Sequence, residues 1–244
     1  MQFHVYENAT AMSEAAAEWI TAYVAKVLRD KPTFSLLLSG GNTPKELYRT
    51  LAGDQLKYNI RWEKIEVFFA DERAVPFNDE RNNGRMAYDL LLKSAGVPSS
   101  QIHYINTNIG RNESALQYEE TLRKYFGNEG VAFDLSLLGI GNDGHTLSLF
   151  PGKKDVYERT KWVITSEAPE EPVERISLTP AIVNRSACIA FLVVGKDKAE
   201  VLDRIIRSKY DPQRYPAQII KNDPENIHLF SDRDAIEQVL KNTA

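Results

Sequence analysis

The chain has 244 residues, 43% of them apolar, and a formal net charge of −4 from 30 Lys and Arg against 34 Asp and Glu. That is enough apolar material for one sizeable core, while the slight acidity excludes a whole-molecule attraction to nucleic acid or an anionic membrane, so any anion site must be local. The single cysteine, Cys188 in the apolar run Ala187–Val194, excludes an internal disulfide or a multi-thiolate metal centre and reads as a small buried hydrophobe.

The N-terminal residues Met1-Gln2-Phe3-His4-Val5-Tyr6-Glu7 lack a basic region followed by an apolar core. Nowhere do about 18 apolar residues run together, so a cytoplasmic protein is expected. Phe3–Tyr6 reads as a first short strand, and Ser13–Leu28 as a helix, with Ala16, Ile20, Val24, Val27 and Leu28 near helical spacing. The apolar strand Phe34–Leu38 then runs into Ser39-Gly40-Gly41-Asn42-Thr43-Pro44-Lys45-Glu46. Here Thr43 is expected as the N-cap of a helix, with Pro44 first inside it and Glu46 completing a T-x-x-E capping box. Gly40 and Gly41 leave backbone amides open beside a helix start, which suits an anion. Neither a P-loop nor a G-x-G-x-x-G fingerprint is present, and the segment reads equally as an ordinary βα turn or a phosphate cradle.

The strand Ile65–Phe69 ends in Asp71-Glu72-Arg73, followed by a polar loop through Arg81-Asn82-Asn83. For Glu72 a solvated charge is expected, whereas Arg73 at a strand terminus can bind an anionic or carbonyl oxygen with directional bonds. Neighbours on an extended segment point oppositely, so Asp71 and Glu72 are not expected to act as one dyad. A short strand at Gln101–Ile105, a connection at Thr107–Asn112 and a helix at Glu113–Phe126 lead to the most informative stretch. There the apolar strand Leu135–Ile140 runs directly into Gly141-Asn142-Asp143-Gly144-His145-Thr146. Ligands of open α/β sheets bind just beyond the carboxyl ends of such strands, which marks this as an active-site loop.

Strands at Trp162–Thr165, Arg175–Leu178, Ala187–Val194 and Ile227–Phe230 follow, with helices at Lys196–Arg207 and Asp232–Leu240. Glu167–Pro172 and Tyr210–Pro216 are connections, and Glu170-Glu171 is expected to be solvated. The alternation predicts an α/β fold: a single three-layer domain over residues 1–244, with a mostly parallel, Rossmann-like sheet and helices on both faces. His4, His103 and His228 lie in separate strand-like segments without H-x-x-x-H spacing, so they are expected to be structural and no metal site is expected. Ser148 lacks a G-x-S-x-G elbow, which leaves water as the favoured nucleophile.

Taken together, Ser39-Gly40-Gly41-Asn42-Thr43-Pro44, Asp71-Glu72-Arg73 with Val75-Pro76, Asn83, Gly139 to Thr146 with Ser148-Leu149-Phe150-Pro151, and Arg175-Ile176-Ser177-Leu178-Thr179 resemble the 6-phosphogluconolactonase family. The family is close kin of the glucosamine-6-phosphate deaminases, and the resemblance spans most of the chain. Thr146-Leu147-Ser148-Leu149-Phe150-Pro151 is similar to the lactonase continuation rather than the deaminase I-A-F-N-E-P type, and Arg73 stands where deaminases usually have an aromatic residue. Asn142, Leu147 and Asn82 depart from the residues common in lactonases and leave the catalytic groups intact.

The resemblance implies hydrolysis of 6-phospho-D-glucono-1,5-lactone to 6-phosphogluconate, in the oxidative pentose phosphate pathway, without metal or organic cofactor. By the same resemblance His145 is the general base, a suitable role for a neutral imidazole near neutral pH. Asp143 orients it and Arg73 faces the carboxylate-forming end of the lactone. Gly40, Gly41, Thr43 and Asp71 contact substrate, with Arg175 as phosphate ligand and Lys198 as a second candidate. Two rival readings stand beside this one. A deaminase-like isomerase would use Asp71 as a base at C2 of the sugar, and a noncatalytic sugar-phosphate sensor would ordinarily carry a DNA-binding or signalling module for which the chain leaves no room. No nucleic-acid or membrane partner is expected, and the residues do not determine an oligomeric state.

Overall fold

The computed structural model describes residues 1–128, 130–169 and 173–242. Glu170 and Glu171, expected to be solvated, lie outside the described residues. In chain order the elements are β1 (Gln2–Tyr6), α1 (Ala9–Val27), β2 (Phe34–Leu38), α2 (Thr43–Ala52), β3 (Ile65–Phe69), β4 (Asp71–Arg73), α3 (Asn83–Ala87), α4 (Lys93–Ala95), β5 (Ile102–His103) and α5 (Arg111–Phe126). Then come β6 (Leu135–Gly139), β7 (Val163–Glu167), β8 (Glu174–Leu178), α6 (Pro180–Val183), β9 (Cys188–Val193), α7 (Ala199–Arg207), β10 (Ile227–Asp232) and α8 (Arg233–Lys241).

Seven strands form one sheet in the order β1-β10-β9-β6-β2-β3-β5, and each of its pairings is parallel. Every residue of β2, β9 and β10 is buried, as expected of strands covered on both faces, whose sequences are apolar runs rather than alternations. Helices surround the sheet: α1 packs on α2, and α7 on α8. Cys188 is buried and its thiol is pushed up to about 11 by burial, in keeping with a core hydrophobe. Among the described residues no helix is long and apolar enough to cross a membrane.

From β2 the chain moves outward to β3 and β5, then returns to the other side of β2 as β6. That reversal is a topological switch point, where the loops leaving two neighbouring parallel strands diverge and open a crevice at their carboxyl ends. The loops here are those after Leu38 and after Gly139.

Four local expectations need correction. The segments around Trp162–Thr165 and Arg175–Leu178 are strands, but they pair antiparallel with β4 in a separate three-stranded sheet, β4-β8-β7. Asp71-Glu72-Arg73 is therefore a strand in its own right, too short and too charged to show a hydrophobic period. Asn83 opens helix α3, with Asn82 capping it by accepting a bond from the Arg85 N–H, where a polar loop was expected. The capping box at Thr43 does not form: Asn42 is already helical (φ −85°, ψ −36°) and makes no side-chain cap bond. Thr43 therefore lies inside α2, and its hydroxyl is not spent on the third amide of the helix as an N-cap's would be.

Candidate active site

The switch-point crevice is a cleft of about 610 Å³ whose walls come from the loops after β2 and β6, from β4 and from the turn before α7. Gly40, Gly41 and Thr43 line it on one side, Asp71, Arg73 and Asn83 on another, and Asn142, His145, Asp197 and Lys198 on a third. Residues separated by more than a hundred positions in sequence thus meet because the sheet reverses between β2 and β6.

His145 is held by its own loop. Its carbonyl accepts a 2.8 Å bond from the Gly141 N–H, and the Gly144 N–H donates to the Gly141 carbonyl at 3.0 Å. The Asp143 Oδ1 accepts both the His145 backbone N–H at 3.0 Å and the ring Nδ1 at 2.6 Å. A carboxylate only accepts, so Nδ1 is the donor of this pair, and in a neutral ring Nε2 is the acceptor nitrogen. Burial alone would raise the Asp143 carboxyl, but its bonds to His145 outweigh that and leave it below its ordinary value. The ring also tilts against Phe150, with centroids 4.8 Å apart. Gly141 is required for this geometry, since a Cβ there would fall on His145 Nδ1 and Cε1.

The next turn ties this loop to the small sheet. Leu147 adopts a left-handed φ of 57°, a conformation that is costly for a branched side chain. It lets neighbouring side chains diverge: the Thr146 hydroxyl donates to the Gly139 carbonyl at 2.8 Å, and the Ser148 hydroxyl to Asp71 Oδ2 at 2.6 Å. The Ser148 N–H also donates to the Ser177 hydroxyl oxygen at 3.0 Å. Ser148, buried and fully engaged, is thus an anchor for Asp71.

On β4 the side chains alternate. Asp71 and Arg73 line the cleft, whereas Glu72, 2% exposed, points into the core. The solvated reading of Glu72 is therefore wrong: its carboxylate accepts backbone N–H bonds from Arg73, Asn83 and Gly84, each at 2.8 Å. Asn83 in turn spans the cleft wall. Its Nδ2 donates to the Asp71 carbonyl at 3.0 Å and to Asp71 Oδ1 at 3.3 Å, while its Oδ1 accepts from the Arg73 guanidinium. Gly40 packs directly on that carboxamide, where any Cβ would collide with it.

Of the two cations expected at phosphate, Arg175 first and Lys198 second, only Lys198 lines the cleft. Lys198 lines the cleft, only 17% exposed, with its Nζ donating to Asn142 Oδ1 and 3.9 Å from Asp197. Burial lowers its pKa, and Asp197 and Asp143 pull it back only in part, so an incoming anion would compensate a partly desolvated charge. Arg175 sits directly opposite Arg73 in the β4–β8 register but is buried, 5% exposed, and does not line the cleft. Its neighbour on β8, Glu174, meets Arg111 at 2.6 Å.

The other histidines are packed elsewhere. His103 bonds to Glu66 at 2.7 Å, and His4 Nε2 lies 2.9 Å from His228 Nδ1 beside Trp19 and Phe230. Among the described residues no group of three or more His, Cys, Asp or Glu is arranged to hold a metal ion. A separate cleft of about 460 Å³ is mainly apolar, lined by residues such as Phe3, Leu202, Ile206 and Leu229.

Asn83, Ser148, Glu72, Asn142 and Asp197 take part in the site without having been expected there. Of these, Asn83, Ser148, Glu72 and Asn142 stand within the family-like motifs, a signal that marks position but not contact.

The family model for glucosamine-6-phosphate isomerases/6-phosphogluconolactonase matches residues 7–229. The chain is 36% identical over 236 residues to a 6-phosphogluconolactonase of Synechocystis, covering 95% of this chain and 96% of that one. In three dimensions it is similar to the 6-phosphogluconolactonase of Trypanosoma cruzi, with a TM-score of 0.86 and 27% identity over 98% of this chain and 96% of that one. A 6-phosphogluconolactonase of Thermotoga maritima matches with a TM-score of 0.82 and 27% identity, over 95% of this chain and 99% of the other. The chain belongs to the glucosamine-6-phosphate isomerase/6-phosphogluconolactonase family.

Proposed function

We propose that this protein is a cytoplasmic 6-phosphogluconolactonase, a single sugar-phosphate hydrolase domain that converts 6-phospho-D-glucono-1,5-lactone to 6-phosphogluconate in the oxidative pentose phosphate pathway. The observation that carries the reading is His145, held by Asp143 at 2.6 Å, in the wall of the cleft that Arg73 and Lys198 also line. The relatives' names supply the substrate class.

In this reading the phosphate lies toward the Lys198 ammonium and the Gly40–Thr43 loop, and C1 of the lactone faces His145. His145 Nε2 takes a proton from water as its oxygen bonds to C1, and Asp143 stabilises the imidazolium that forms. Arg73, steadied by Asn83, meets the developing oxyanion, where a charge-assisted bond is stronger than in the ground state. Collapse breaks the bond between C1 and the ring oxygen, and the imidazolium returns its proton to that oxygen. The products are a sugar hydroxyl and a carboxylic acid, which ionises in water. Every step uses groups of the chain and water alone.

The test is direct. Purified protein treated with a chelator should form 6-phosphogluconate from freshly generated lactone faster than the spontaneous rate. Loss of activity with the metal would refute the mechanism, and ammonia release from glucosamine 6-phosphate in place of lactone hydrolysis would select the deaminase chemistry.

A further inference from the structure

We propose that Glu72 is a positioning residue: by gathering three backbone N–H groups it holds Asn83 between Arg73 and Asp71 and so aims the guanidinium into the cleft. The role at the substrate rests on the lactonase reading above.

Glu72 occupies the core-facing side of β4, yet its carboxylate reaches the start of α3. One oxygen accepts from the Arg73 and Asn83 N–H groups and the other from Gly84. The strand that carries Arg73 and the helix that carries Asn83 are thus clamped to a single planar group. Outside the clamp, the Asn83 carboxamide touches Arg73, Asp71 and the position of Gly40 at once, so a small rotation of the α3 start would disturb three walls of the cleft together.

A buried carboxylate is an expensive way to join two segments, because desolvation opposes the charge. That opposition is visible in its titration. Burial pushes the Glu72 carboxyl up to about 7, against the three N–H bonds that favour its ionised form. An apolar side chain would fill the same space without that cost but could not satisfy the three amides, which are buried donors that need acceptors. Costly, fully engaged polar groups beside a reactive cleft are where positional precision is to be expected.

The test uses Glu72→Gln, which keeps the volume but turns an N–H toward at least one of the three amides, and Glu72→Asp, which keeps the charge but is too short to span them. Crystal structures of the variants should show the Asn83 carboxamide withdrawn from Arg73 and Asp71, a readout that needs no substrate. In lactone hydrolysis, the single-turnover rate at saturating lactone, counted per site able to bind 6-phosphogluconate, should fall about tenfold or more while KM stays within about threefold. A purely structural role would lower the number of such sites and leave the rate per site unchanged. An unmoved Asn83, an unchanged rate per site, or failure of both variants to fold each overturns the proposal. A wild-type protein without lactonase activity, in which Glu72→Gln still displaces Asn83, would instead refute the lactonase reading and leave the clamp standing.

Discussion

Replacing Gly141 with alanine should disable the imidazole without removing it. Gly141 does not adopt a left-handed φ, so the backbone accepts alanine, but the new Cβ would fall on His145 Nδ1 and Cε1 and lie 2.7 Å from Asp143 Oδ1. Carbon contacts settle near about 3.5–4 Å, so the ring must retreat by roughly 1 Å or more and abandon its 2.6 Å bond to Asp143. The ring can do so cheaply, since it is the free end of a side chain 32% exposed. Strain in the fold is therefore small, and the lower entropy of the unfolded alanine chain returns about 0.4–1 kcal/mol of stability. Misplacing a reacting group by about 1 Å costs on the order of 100-fold, equivalent to about 2.7 kcal/mol of barrier. Single-turnover hydrolysis of fresh lactone, with the spontaneous rate subtracted, should show that loss while urea denaturation shows stability within about 1 kcal/mol of wild type. A variant with a single-turnover rate within about threefold of wild type would refute both the ring's role and its dependence on Asp143.

His145→Gln should slow the chemical step by about 10²–10⁴-fold with the fold retained, and the acidic limb of the wild-type rate profile should vanish; persistence of that limb would exclude His145 as the base. Lys198→Met should reduce use of the phosphorylated lactone by roughly 10–150-fold relative to the unphosphorylated one, and equal losses on both would argue against a phosphate contact. Because burial holds the Lys198 ammonium below the ordinary lysine value, the wild type's preference for the phosphorylated lactone should fade with rising pH earlier than an exposed lysine would allow. His228 titrates at about 4, held down by burial first and then by His4 and the N-terminal amine, against about 6.5 in the unfolded chain. The unfolded chain thus takes up this proton first as pH falls, so the contribution of His228 is intact above about pH 6.5 and lost progressively toward about pH 4. Up to about 3 kcal/mol is at stake, and urea denaturation at about pH 7 and about pH 4.5 should show a smaller acid loss for His228→Gln than for wild type; identical losses would refute the assignment.

Legibility of the site followed the kind of signal each residue carried. His145, Asp143 and the Gly40–Thr43 loop were readable because each follows a long apolar strand, and a fully buried strand ending in glycines and a polar group announces where the crevice lies. The family-like motif favours Arg175 over Lys198 as the phosphate ligand, yet the burial of Arg175 in β8 and the place of Lys198 just before α7 put Lys198, not Arg175, in the cleft, a difference that two cations near element starts do not show in sequence. Glu72 was misread as solvated because a three-residue strand has no period to show which face is buried.

What the sequence alone determined is the parallel α/β character of the chain and the loops that bear its chemistry, since apolar runs, glycine turns and helical spacing are local consequences of backbone geometry and side-chain burial. The tertiary structure decided everything that depends on contact. The reversal of strand order between β2 and β6 brings the glycine loop to His145, the antiparallel sheet turns Asp71 and Arg73 toward the cleft and Glu72 away from it, and the clamp at Glu72 sets Asn83 between them. Those pairings depend on sheet register and on where loops from different strands meet, which no local pattern of residues encodes.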